Sequence, residues 1–152
     1  MRIGGRGRAV VVAVMTAMVL GSGTAALASG QVPVLAGPWS MGQEGYGHVK
    51  PHTIFNGGDP TGLVKKIHWN SWGGQRATGN GTALWLGPHQ IVAAGKFQKG
   101  ARVVLFQLGL CNGRPAYNAI EWYFPKHGQK FSPGTYINAC TGTYYMHGHP
   151  EP

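Results

Sequence analysis

Acidic side chains are scarce in this chain: four Asp and Glu stand against thirteen Lys and Arg in 152 residues. The shortage bears first on hydrolytic chemistry. Glycoside hydrolysis ordinarily uses two carboxylates about 5–10 Å apart. The four acids are Glu44, Asp59, Glu121 and Glu151. Glu44 falls in an irregular stretch, Glu151 is next to last, and Asp59 sits in a turn, where Asp commonly bonds its own backbone. Only Asp59 with Glu121 remains as a pair, and no sequence feature brings them together. Nucleophile and cofactor motifs are lacking as well. Ser71 has no G-x-S-x-G elbow. Gly79-Asn80-Gly81 is not followed by a helix, as a phosphate loop requires. A small hydrolase is therefore the weakest of the functional readings, and no cofactor is expected.

Cysteine is limited to Cys111 and Cys140. Two cysteines make no zinc motif, and in an exported chain an even pair reads as a disulfide. Long apolar runs are missing too. Ala9 to Leu20 is apolar over twelve residues, short of the roughly 20 needed to span a bilayer. Arg2, Arg6 and Arg8 precede it without an acid, Gly21-Ser22-Gly23 breaks it, and Ala26-Leu27-Ala28 supplies a cleavage site. This is the pattern of a secretory signal. Residues 1–28 are expected to form a cleaved signal helix, leaving a secreted, extracellular product, with cell-wall association as the finer expectation and no membrane span.

Amphipathic helical periodicity is the last notable absence. Instead, short runs rich in Val, Ile, Trp, Tyr and Thr alternate with Gly and Pro, the pattern of a sandwich or barrel. We expect an irregular arm at 29–48, one β domain at 49–146 and a flexible tail at 147–152. Leu63 to Trp72 reads as a strand with Leu63, Lys65, Ile67 and Trp69 toward the core and Trp72 on the other face. Gly79-Asn80-Gly81 reads as a turn into Thr82-Ala83-Leu84-Trp85-Leu86. Ala101 to Leu110 is apolar on both faces, as in a covered central strand. After a turn at Asn112-Gly113-Arg114-Pro115, residues 118–124 place Ile120, Trp122 and Phe124 on one face and Glu121 and Tyr123 on the other. Thr135 to Tyr145 is a last strand carrying Cys140. The expected fold is all-β: a small antiparallel sandwich or open barrel of about seven strands with one disulfide.

Three segments carry a resemblance. Gly58-Asp59-Pro60-Thr61-Gly62, Ile67-His68-Trp69-Asn70-Ser71-Trp72-Gly73 and Ala77-Thr78-Gly79-Asn80-Gly81 resemble a G-D-x-T-G, I-x-W-x-S-W-G, A-x-G-x-G pattern in small uncharacterised secreted proteins of actinobacteria. The resemblance implies export and a small β-rich fold. It brings no catalytic residues.

What the chain has in abundance is positive charge and aromatic surface. Removing Arg2, Arg6 and Arg8 takes the formal charge from +9 to +6. A basic surface favours anionic partners, while the scattered placement of the basic residues argues against nucleic acid. Sixteen Trp, Tyr and Phe are present, more than so small a core requires. Trp72, Tyr123 and Tyr145, with Lys66 and Arg114, are the candidate binding residues, since exposed aromatics beside cations stack on sugar rings or bases. His147 and His149 are weak metal candidates on the tail. The leading expectation is a non-catalytic module that binds cell-envelope glycan or another anionic polymer. The alternative is an inhibitor or competition factor with a protein target, presenting Arg114 beside the disulfide.

Overall fold

The computed structural model describes residues 30–151; the expected signal at 1–28 lies outside them. Nine strands form a single sheet that curls into a half-barrel: β1 (Val34–Leu35), β2 (Thr53–Phe55), β3 (Leu63–Ser71), β4 (Ala77–Trp85), β5 (Lys96–Cys111), β6 (Arg114–Tyr123), β7 (Tyr136–Asn138), β8 (Tyr144–Met146) and β9 (His149–Pro150). From β2 to β9 each strand pairs antiparallel with the next. The expectation of an all-β fold with one disulfide holds, and of the two expected forms, sandwich or open barrel, the single curled sheet is the open one, with nine strands against about seven. Cys111 and Cys140 are bonded, with their Cα atoms 5.8 Å apart. No described helix is long and apolar enough to cross a membrane.

β5 is the longest strand, and its Val103–Phe106 run is buried on both faces, as the apolar run demands. Val103 and Leu105 join the main core with Leu35, Ile54, Val64, Ile67, Tyr117 and Ile120. Val104 and Phe106 face the other way, into a smaller cluster with Ala119, covered by Tyr123, Phe131 and Tyr136. The alternation inverts farther along. Gln107 adopts a left-handed backbone (φ 55°); on one side of it Phe106 and Ala119 pair, on the other Leu108 and Tyr117. Tyr117 therefore lands in the main core although it is two residues from outward-facing Ala119.

A bulge corrects the expected face of β3. Strict alternation would bury Lys65 with Ile67. Instead Lys66 is left-handed (φ 55°), the register shifts between Lys65 and His68, and Val64 and Ile67 point inward together. Burying an unpaired lysine is costly, and one extra residue removes the need. A second shift between Trp69 and Ser71 brings Trp72 to the same side as Trp69, their rings 4.7 Å apart edge-to-face. The two indoles do not serve opposite faces.

Gly79-Asn80-Gly81 is not a turn but the middle of β4. A side chain at Gly81 would meet Val64 Cγ2 at 2.8 Å, so glycine here admits the bulged β3 against the sheet. The long final strand is divided. Asn138 Oδ1 accepts the N–H groups of Cys140 (2.9 Å) and Thr141 (3.1 Å), turning the chain so that Cys140 lies between β7 and β8. Residues 147–150 form a hairpin rather than a loose tail: His147 and Gly148 are both left-handed, and Met146 pairs with His149. Two consecutive positive φ values make the turn that matches strand twist.

The arm is mostly irregular, yet it builds core. Val34, Leu35, Ala36 and Tyr46 are buried. β1 pairs parallel with β6 at Ala116 and Tyr117, the sheet's one departure from antiparallel order among the described residues.

Candidate functional site

The free edge of β6 is shared in three stretches. β1 covers it at Ala116–Tyr117, β7 at Ala119–Ile120, and residues 121–123 have neither partner. There the chain leaves through Pro125–His127 and returns at Ser132, leaving a groove of about 360 Å³ walled by Glu121, Tyr123, Lys130, Thr135, Tyr136 and Tyr144. Glu121 is half-buried, and both carboxyl oxygens accept from the Ser132 backbone N–H (3.2 and 3.0 Å). Loss of surrounding water pushes its pKa up to about 7, partly offset by that hydrogen bond.

A carboxyl that titrates near neutrality is one requirement of an acid catalyst. The second is a partner carboxylate, and Glu121 is the only acid lining the groove. Asp59 accepts from the Thr61 hydroxyl and from the Thr61 N–H (2.7 Å), which together hold its carboxyl below the usual range, and it caps the Pro60–Gly62 turn beside β3. Glu44 bridges to Phe55 in β2. β2 and β3 are separated from β6 by β4 and β5, so Asp59 and Glu121 are not brought together.

Cross-strand pairing links this groove to the far side of the sheet. His68 pairs with Asn80, Asn80 with Arg102, and Arg102 with Tyr123. Directly paired residues share a face, so these four side chains form one row across β3–β6, on the face opposite the main core. Three strand spacings make it about 14 Å long. Asn80 is fixed from both sides: its amide donates to Asn70 Oδ1 (2.9 Å), and its carbonyl accepts from Arg102 (3.2 Å). At the other end of the row a shallow basic groove is lined by Lys66, His68, Asn80, Thr82 and Lys99.

The candidates from sequence separate accordingly. Tyr123 lines the tyrosine groove and Lys66 the basic one. Tyr145 stacks flat on Tyr136, 4.7 Å between rings, and so buttresses the groove wall. Arg114 is exposed, paired with Cys111 across the Asn112–Gly113 hairpin, remote from both grooves in the fold's connectivity. Trp72 is half-buried and lines neither of these grooves but a third, with Pro33, Val49 and Lys50. Its indole N–H donates to Pro33 O (2.8 Å), and its ring packs edge-on against Tyr117 (5.4 Å). A half-buried indole needs an N–H partner, and the arm supplies it. All five tryptophans pack against the main core; a half-barrel has no second sheet to cover it, and indoles fill that role. His147 and His149 lie in the β8–β9 hairpin, and no group of three or more His, Cys, Asp or Glu among the described residues is placed to hold a metal.

Sequence reasoning set Glu121 aside for want of a second acid and passed over Lys130, Thr135 and Lys99. The alternation of Glu121 with Tyr123 was the one signal for it. The three segments of the suggested family pattern are neighbours here: Asp59 caps the turn entering β3, and Trp69 and Ser71 pair with Gly79 and Thr78 of β4. Comparison with known protein families, with curated proteins and with solved structures finds no match.

Proposed function

We propose that this chain is a secreted, non-catalytic β-domain that binds a cell-envelope glycan or another anionic polymer across the outer face of β3–β6. The observation that carries the reading is the row His68–Asn80–Arg102–Tyr123, which joins a basic groove to a tyrosine groove on one face. Tyrosine rings offer flat apolar surface for sugar faces, and amide and guanidinium groups donate to hydroxyl or anionic oxygens. The disulfide and the expected signal support an extracellular setting. Retention of the mature chain on isolated cell walls, across a salt series, tests it. Retention that weakens with salt and falls in Tyr123→Ala and Tyr144→Ala is the expected result; no retention at low salt overturns it.

A second reading has its own observation. The Asn112–Gly113 hairpin presents exposed Arg114 beside the disulfide, a rigid projection of the kind a protein inhibitor uses. Inhibition of trypsin-like proteases that is lost in Arg114→Ala would favour it.

A further inference from the structure

We infer that the basic groove at the β3–β4–β5 end of the row is a seat for a phosphate group carried on the bound polymer; this rests on the proposed function and names the ligand's chemistry. The seat is made by two bulges flanking the same short stretch of β4. On β3, left-handed Lys66 occupies the extra position between Lys65 and His68. On β5, left-handed Gly100 (φ 88°) occupies the extra position opposite the step from Gly81 to Thr82, next to Lys99. Bulges re-aim side chains, and here both lysines line one groove together with Thr82.

The charge there has no counterpart within the site. No acid lines the groove, and Arg102, next along the row, donates to the neutral Asn80 amide rather than to a carboxylate. Two lysines and a hydroxyl residue lining one groove suit a phosphate, which lysine binds as a point charge. The polymer then runs along the row, phosphate on Lys66 and Lys99, a sugar or polyol on Tyr123.

The test is calorimetric titration of the mature chain with poly(glycerol phosphate), inorganic phosphate, polyglutamate and single-stranded DNA. Alongside it, retention is measured on cell walls before and after acid removal of their phosphate polymers. The variant is Lys66→Asn with Lys99→Gln; Asn tolerates the left-handed backbone, and unchanged thermal unfolding of the variant checks the fold. We expect poly(glycerol phosphate) to bind best, about tenfold weaker binding in the double variant, and weaker retention of the wild type on stripped walls than on intact ones. Equal binding of wild type and variant overturns the inference, as does preference for polyglutamate or DNA. So does retention that is the same on intact and stripped walls, which leaves glycan binding standing. Retention on neither wall overturns both this inference and the proposed function.

Discussion

Replacing Glu121 with Gln is expected to remove a pH dependence of stability. In the folded chain the carboxyl titrates at about 7, against 4.5 for an ordinary Glu, because burial strips its water. Between those values the folded chain keeps a proton that the unfolded chain has released. Stability from this group is therefore full below 4.5 and is lost as pH rises to 7. Each pH unit of such a gap is worth at most about 1.4 kcal/mol, setting a ceiling of roughly 3 kcal/mol. About half of the group still faces solvent and is screened, so we expect roughly 1–1.5 kcal/mol. Gln has the same shape, keeps an oxygen for the Ser132 N–H and never ionises. The two proteins should unfold at similar urea concentrations at pH 4.5. By pH 8 the Gln variant should lead by about 0.5 M, taking a urea slope of roughly 2–3 kcal/mol/M. Tryptophan fluorescence during urea unfolding at pH 4.5, 6, 7 and 8 reads the difference. A gap that stays constant from pH 4.5 to 8, or that favours the wild type at pH 8, refutes the assignment of a proton-holding, water-poor carboxyl.

The core supplies further predictions. Replacing Cys111 and Cys140 by Ala opens a link across 29 residues and should cost about 3–4 kcal/mol in the chain-entropy account, visible as a lower thermal midpoint that reductant no longer shifts. Tyr117→Phe removes a hydroxyl that accepts from Gly73 N–H and donates to Gly74 O, both at 2.8 Å. Because water reaches those glycines, the expected loss is about 1–2 kcal/mol, with faster amide exchange at Gly73. Leu105→Ala, at a fully buried position of β5, should cost about 2–5 kcal/mol by denaturant titration.

The fold class was legible because β5 and β6 carry long, regular patterns: Val103–Phe106 is apolar throughout, and Ile120, Trp122 and Glu121, Tyr123 alternate without interruption. The reading failed wherever one residue broke the period. Lys66 and Gln107 sit in left-handed backbone that no propensity for Lys or Gln announces. Each reverses the facing of the residues beyond it in its strand. Glycine misled in the opposite sense: Gly79 and Gly81 are in β4 because a neighbour needs their empty space, not because the chain turns. The site shared this difficulty. Lys66 and Lys99 lie 33 positions apart and converge only because β3 and β5 both flank β4. Glu121 acquires its character from a loop returning to Ser132.

The parallel pairing of β1 with β6 also sets an order of assembly. The strands β3 to β6 are successive neighbours and close through short connections, whereas Val34 and Ala116, 82 positions apart, must find each other across all of them. A chain that emerges amino end first presents Val34 and Leu35 long before Ala116 and Tyr117 exist to receive them. Loop closure over that distance is entropically dearer than any hairpin in the meander, and contacts so far apart in sequence slow folding. Until β6 is complete, β1 has no strand to pair with, and Trp72 lacks the Pro33 carbonyl that satisfies its indole. Docking of the amino-terminal strand is thus expected to be the late step of folding.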